Sequence, residues 1–224
     1  IPVKNVAGYA TQSVAQSTFA MLLQLMQNIT YYDDYVKSGD YSKSPIFTNM
    51  DQDFHELAGK RFGIIGLGNI GQKAADIAQV FGAEVVYYST SGKNTGQPYP
   101  RLSLDELLAT CDVVSIHAPL NENTENLIDY TRLKQMKRTA FLINTGRGGI
   151  VNENDLARAI DEDLIAGSAA DVFEQEPIPE DHPFLNVEKK GKLLLTPHIT
   201  WSSVEARMDL IEGIRQNIKQ YIHQ

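Results

Sequence analysis

The chain has 224 residues, 42% of them hydrophobic and 21% charged, with a formal net charge of -8; it can bury a sizeable core, and its acid excess, without any lysine or arginine run, excludes a nucleic-acid backbone as partner. Its single cysteine, Cys111 in the apolar context of residues 107–114, excludes an intrachain disulfide and reads as a small buried hydrophobe in a reducing compartment. No stretch reaches the roughly 18 apolar residues of a membrane span and no signal-peptide pattern opens the chain, so a cytoplasmic location without a membrane partner is expected.

Thr11 to Ile29 predicts a long amphipathic helix, with Val14, Ala15, Phe19, Leu22, Leu23 and Met26 at three- and four-residue steps and Ser13-x-x-Gln16 as a capping box. Tyr31 to Asn49 mixes aromatics with Gly39 and Pro45 and reads as a shorter helix and an irregular arm, either a clamp on a neighbouring subunit or a plain surface loop. From Lys60 the pattern alternates: strand Arg61 to Ile65, helix from Ile70, strand Glu84 to Tyr88, helix from Ser103, strand Val113 to His117, helix from Thr131, strand Ala140 to Asn144, helix from Asn152. Ser103-x-x-Glu106 is a second capping box, and Asn152 ahead of Glu153 is a good N-cap. Short strands follow at Gly167 to Val172 and Leu193 to Thr196, and Ser202 to Ile222 closes the chain as a long amphipathic helix. Six β segments and their crossovers predict an α/β fold, a doubly wound parallel sheet of the Rossmann dinucleotide-binding type. There is no internal repeat or low-complexity tract.

Gly66-Leu67-Gly68-Asn69-Ile70-Gly71 sits directly behind the first strand and opens a helix. In that setting Gly66 permits the tight turn, Gly68 lets the backbone approach a pyrophosphate, and Gly71 lets helix and strand pack closely, while the helix N-terminus offers free N–H groups. The acidic residue that usually grips an adenosine ribose lies about 20 residues further on. Here that place reads Tyr88-Ser89-Thr90-Ser91-Gly92-Lys93, with no carboxylate. Ser89, Thr90 and Lys93 can therefore accept NADP, although serine and threonine also bond an NAD ribose and Lys93 reads equally as a solvated loop charge. His117 ends the third strand and reads as structural, with Ala118, Pro119 and, in the next loop, Thr124 behind it.

Three polar residues fall at the carboxyl edge, where doubly wound sheets bind ligands: Arg147, Glu176 and His198. Arg147 sits among glycines in Asn144-Thr145-Gly146-Arg147-Gly148-Gly149, where a guanidinium can grip a carboxylate by two parallel hydrogen bonds; the plainer reading is a surface ion pair. His198 follows an apolar strand ended by Pro197, and a nearby carboxylate would favour its protonated ring, able to give a proton to an alkoxide. On spacing alone Glu174 and Glu176 are equal candidates for that carboxylate.

Taken together the motifs resemble the D-2-hydroxyacid dehydrogenase family over nearly the whole chain. The resemblance is carried by residues 5–15, by Gly59-Lys60 through Gly71, by His117-Ala118-Pro119-Leu120, by Asn144-Thr145-Gly146-Arg147-Gly148, by Asp171-Val172-Phe173-Glu174-Gln175-Glu176-Pro177 and by Thr196-Pro197-His198-Ile199. It implies that Arg147 binds and orients the substrate, that His198 is the general acid or base, and that Glu176 is its partner. It further implies that Asp171 contacts the nicotinamide carboxamide, that Asn69 and Ile70 meet the pyrophosphate, and that Ala118, Pro119, Thr124 and Thr145 line the cofactor groove. Trp201-Ser202-Ser203 with Glu205-Ala206-Arg207 looks most like glycerate and hydroxypyruvate-type members. The activity so implied is D-stereospecific hydride transfer between NAD, or NADP, and a small 2-hydroxy or 2-oxo acid such as hydroxypyruvate, glyoxylate or pyruvate, with no metal. Similar proteins also include dinucleotide-binding co-repressors, so a regulatory protein, or an isolated cofactor-binding module, is the alternative. Two departures stand out: Ser89 replaces the acidic ribose residue, and the family's substrate domain, with its final strand, has no counterpart here. Ile1 and Gln224 are thus expected to be cut ends of a larger enzyme, with 1–199 forming the coenzyme domain and its helical arm and 200–224 a helix leading back to the missing domain. A homodimer through the coenzyme domain is expected, with Thr11 to Asn49 as the surface.

Overall fold

Six short apolar runs assemble into one all-parallel sheet in the order β2-β1-β3-β4-β5-β6. The strands are β1 (Arg61–Ile65), β2 (Glu84–Tyr88), β3 (Val113–Ile116), β4 (Phe141–Asn144), β5 (Gly167–Ala170) and β6 (Leu193–Leu195). A single parallel bridge from Tyr87 to Arg101 continues the sheet beyond β2, where an outer strand would complete the usual doubly wound order. The computed structural model describes residues 3–222; Ile1 and Gln224, expected as cut ends, lie outside the described residues.

Period-two alternation along each strand feeds two cores. Phe62, Ile64, Val113 and Ile143 pack with Phe19 and Leu22 of α1 (Thr11–Met26) and with Ala74, Ala75 and Ala78 of α3 (Asn69–Val80). Ile65, Val114, Ile116 and Leu142 pack on the other face with Leu107 and Leu108 of α4 (Leu104–Thr110), Leu133 of α5 (Tyr130–Leu133) and Ile160 of α6 (Glu153–Asp161). Cys111 is fully buried over Gly63, and burial pushes its thiol up to about 12, as suits an inert hydrophobe.

Ser103 and Asn152 cap their helices as expected, accepting from Glu106 N at 3.2 Å and Asp155 N at 3.0 Å. Ser13 does not. The α1 N-cap is Ala10, and Ser13, inside the first turn, turns its hydroxyl across to Thr200 O at 2.5 Å and accepts from Ser203 N at 3.3 Å. The helix expected from Thr131 is a single turn capped by Asp129. The arm forms α2 (Ile29–Lys37), a 3₁₀ turn at Tyr41–Lys43 and then irregular chain. The last helix, α7 (Val204–Ile222), buries only Ala206 and rests on the N-terminal segment, where a Cβ on Gly213 would lie 2.4 Å from Val6 Cγ1.

Strands β3, β5 and β6 end one or two residues earlier than their apolar runs suggest, because His117, Asp171 and Thr196 turn out of the sheet while each N–H still bonds the neighbouring strand end. Register aligns those ends: Tyr88 with Ile65, Ile65 with Ile116, Ile116 with Asn144, Asn144 with Ala170, and Ala170 with Leu195. The next residue of each strand, from Ser89 through Gly66, His117, Thr145 and Asp171 to Thr196, therefore falls on one row along the carboxyl edge.

A Cβ on Gly71 would lie 2.3 Å from Gly66 O, a backbone atom that cannot swing aside. Gly71→Ala is expected to destabilise the fold by about 1–3 kcal/mol, the usual cost of overpacking. Thermal or urea denaturation reads it, and an unchanged midpoint would contradict this packing.

Candidate active site

Gly66 adopts a left-handed φ of +92°, and a Cβ there would strike the Ala118 backbone at 2.8 Å. The turn is braced from the β2 side, where Asn94 Nδ2 donates to Leu67 O at 2.7 Å and Asn94 N donates to Ser89 Oγ at 3.3 Å. Gly68 is the N-cap of α3, and its missing Cβ would point into open space with no atom within 4 Å. The first intrahelical bond runs from Gln72 N to Gly68 O, which leaves the N–H groups of Asn69, Ile70 and Gly71 at the helix mouth. An open cradle bordered by amide donors fits the pyrophosphate of a dinucleotide.

This turn shares one cleft of about 640 Å³ with the second half of the sheet edge. Gly68, Asn69 and Ile70 line one end; Ala118, Pro119 and Thr145 line the wall; Arg147 and His198 close the other end. The Arg147 loop is tied down by Asn144, whose Oδ1 accepts from Gly146 N at 3.1 Å and whose Nδ2 donates to Arg147 O at 3.0 Å. Gly148 presses against the Phe173 carbonyl, where a Cβ would come within 1.9 Å, so the loops of Arg147 and Glu176 are in direct contact.

His198 sits at φ +53°, uncommon for a residue with a Cβ. Asp171 holds it there. This fully buried carboxylate accepts from Thr196 Oγ1 at 2.6 Å and Ile199 N at 2.8 Å on one oxygen, and from Thr200 N at 3.0 Å and Thr200 Oγ1 at 2.5 Å on the other. The Asp171 carbonyl also accepts from His198 N at 2.8 Å. His198 Nδ1 then meets Glu176 Oε2 at 2.7 Å, while Glu176 Oε1 accepts from Phe173 N at 2.9 Å. Partial burial pulls the Glu176 carboxyl up, but His198, the Phe173 N–H and the charge of Arg147 outweigh it and hold the group below the usual glutamate range. A depressed carboxyl stabilises the fold above its ordinary pKa, and that contribution is lost only as pH falls through the lowered value. Of the two glutamates left open by spacing, it is Glu176 that bonds His198.

His117 lines the cleft with Nε2 2.9 Å from Ser115 Oγ, and desolvation pushes its pKa down to about 4, so it forms an uncharged wall. Thr145 leans 3.1 Å from Thr18 of α1.

Three residues expected at the cofactor are buried. Thr124 is fully buried and does not line the groove; its hydroxyl donates to Pro119 O at 2.7 Å and accepts from Asn121 N at 2.8 Å, bracing the loop beneath it. Asp171 is fully buried, with both carboxylate oxygens bonded to the His198 loop. Ser89 is buried, its hydroxyl oxygen accepting from Asn94 N, while the half-buried Thr90 and exposed Lys93 lie nearer the surface. Sequence reading missed Arg101, whose guanidinium donates to Gly92 O at 3.3 Å beside the ribose loop. It also missed Tyr9 and Trp201 of the cleft lining, stacked edge to face at 6.2 Å. The Tyr9–Trp201 pair is a long-range contact with no local signature.

A second cavity, of about 700 Å³, lies at the amino ends of the strands around Tyr31, His55, Arg138 and Leu194; neither the glycine turn nor His198 reaches it. Among the described residues no helix is long and apolar enough to cross a membrane, and no three His, Cys, Asp or Glu side chains converge to hold a metal.

Residues 19–200 match the family model of the D-isomer specific 2-hydroxyacid dehydrogenase NAD-binding domain. The chain is 37% identical over 97% of its length to glyoxylate reductase of Thermofilum pendens, and 33% identical over 99% to hydroxypyruvate reductase of Blautia hydrogenotrophica. It spans 64% and 69% of those two proteins. D-lactate dehydrogenase from Aquifex aeolicus, solved with NAD and lactic acid, superposes with a TM-score of 0.86 at 29% identity, over 96% of this chain and 68% of that one.

Asp171→Asn replaces one acceptor oxygen by a donor that must face Thr196 and Ile199 or Thr200. The expected loss is about 2–4 kcal/mol of stability, from buried donors left facing a second donor in place of a carboxylate oxygen. Chemical denaturation measures it, and a loss under about 0.5 kcal/mol, the level of an ordinary surface change, would contradict the clamp.

Proposed function

We infer the function from one premise: this chain belongs to the D-isomer specific 2-hydroxyacid dehydrogenase family. It acts as an oxidoreductase, moving a hydride between a nicotinamide dinucleotide and a small 2-oxo acid. The observation that carries this reading is the His198 Nδ1 to Glu176 Oε2 contact of 2.7 Å at the end of a cleft shared with the glycine turn and Arg147. The relatives named for glyoxylate and hydroxypyruvate favour those acids as substrates.

When bound, the nicotinamide supplies the hydride that adds to the carbonyl carbon. Arg147 takes the substrate carboxylate in its guanidinium fork and fixes the carbonyl in a near-attack pose. Glu176 accepts from Nδ1 and so leaves Nε2 directed at the substrate. In reduction the protonated ring gives its Nε2 proton to the carbonyl oxygen; in oxidation the neutral ring takes it back. Glu176 keeps its charge through the cycle and steadies the imidazolium. The helix mouth at Asn69 and Ile70 holds the pyrophosphate. At the ribose end no carboxylate is present to repel a 2′-phosphate, so NAD is bound with weak discrimination against NADP.

The arm and the chain just beyond it support a homodimer through this domain: Ile46 and Phe47 of the arm, with Met50 and Phe54 after it, are exposed at 58%, 90%, 79% and 59%, apolar side chains that a second copy would cover.

His198→Ala is expected to lower kcat about 10²–10⁴-fold, followed as loss of NADH absorbance over glyoxylate or hydroxypyruvate. Arg147→Ala should damage hydride transfer and substrate affinity while cofactor affinity holds. A change under about threefold in the His198 variant would mean that another group delivers the proton, and no NADH oxidation by the unaltered protein would favour a regulatory dinucleotide-binding role. Phe47→Ser should shift sedimentation from dimer towards monomer; a monomeric unaltered protein would remove the arm from this role.

A further inference from the structure

Glu153 and His182 form a buried pair that the reaction above does not use. Glu153, the first residue of α6, is 9% exposed and His182 is 3% exposed, with Nε2 2.8 Å from Glu153 Oε2. His182 Nδ1 accepts from Phe184 N at 3.2 Å, which places the ring proton on Nε2 and makes Glu153 the acceptor. The other Glu153 oxygen accepts from Glu174 N at 2.8 Å. One buried carboxylate thus ties the helix start, the segment at 182–184 and the loop that carries Glu176. The imidazole ring also packs edge-on against Phe173 at 5.7 Å and Phe184 at 4.9 Å.

The anchored peptide is where the reacting groups' supports meet. Phe173 N holds Glu176 Oε1, and a Cβ on Gly148, next to Arg147, would come within 1.9 Å of the Phe173 carbonyl and 2.4 Å of Glu174 N. A shift of the Phe173–Glu174 peptide would move both loops at once. A plain core contact would need neither a buried acid nor a defined ring tautomer at this point.

We propose that the Glu153–His182 pair is a positioning device that fixes the Phe173–Glu174 peptide and thereby sets Glu176 on His198 and Arg147 on the substrate. This rests on the oxidoreductase reading for its kinetic consequence, though not for its structural one. Two substitutions separate the parts of His182. His182→Asn keeps an acceptor for Phe184 N but cannot reach Glu153, whereas His182→Gln keeps a donor for Glu153.

The test combines kinetics over glyoxylate and NADH with a carbon-detected NMR titration of the Glu176 carboxyl in the full chain. In His182→Asn, kcat should fall about tenfold with the NADH KM unchanged, a modest misplacement by the standards of enzyme sites. The Glu176 midpoint should rise towards the ordinary glutamate value. His182→Gln should stay within about twofold of the unaltered protein in both readouts. Unmoved Glu176 titration in a folded His182→Asn protein, or equal losses in both variants, overturns the proposal. If His182→Asn does not fold, hydrogen exchange of the Glu174 amide in the unaltered protein decides: protection supports the anchor and exposed-loop exchange overturns it. Absence of turnover in the unaltered protein would sink the oxidoreductase reading alone, because the Glu176 titration and the exchange measurement need no reaction.

Discussion

A single buried carboxylate organises the reactive end of this molecule. Asp171 gathers four hydrogen bonds from Thr196, Ile199 and Thr200, and the residue enclosed between those contacts is His198, in a left-handed conformation. Such a backbone costs roughly 1–3 kcal/mol and persists only where its surroundings overdetermine it. Here they do so on both sides of the residue. The imidazole is thereby aimed at Glu176 and the cleft by the fold, before any ligand arrives, which is the preorganisation that the proton transfer proposed for it requires.

The sheet supplies the rest through register. Because the parallel strands end on one level, the first residue past each strand joins a row, and the row passes from the glycine turn beside β1 to the Asp171 clamp beside β6. Strand order reverses between β1 and β3, which opens the crevice there. The close approaches at Gly66 and Gly148 bring neighbouring loops nearer than any side chain would allow, so the glycine turn, Arg147 and His198 share one cleft.

Much of this was legible in the sequence because its signals are local. A glycine pattern behind an apolar strand specifies a turn, capping residues specify helix starts, and polar residues just past apolar runs must lie at the sheet edge. The assignment of Arg147, Glu176 and His198 to one place follows from that logic. Ser13 shows the limit: Ser-x-x-Gln has the pattern of a cap, but a long-range bond to Thr200 claims the hydroxyl. Thr124 shows another, since residue type does not reveal whether a polar side chain faces the cleft or braces the loop beneath it. Glu153 and His182 stand 29 residues apart with no shared motif, and only the folded chain joins them.

The most direct check is a crystal structure of the protein with NADH and oxamate, an unreactive amide analogue of a 2-oxo acid. The pyrophosphate is expected at Asn69 and Ile70, the oxamate carboxylate on the Arg147 guanidinium, and the analogue's oxo oxygen within hydrogen-bond reach of His198 Nε2. Dinucleotide in the cavity around Tyr31, His55 and Arg138 instead, or oxamate bound away from both Arg147 and His198, would contradict that arrangement.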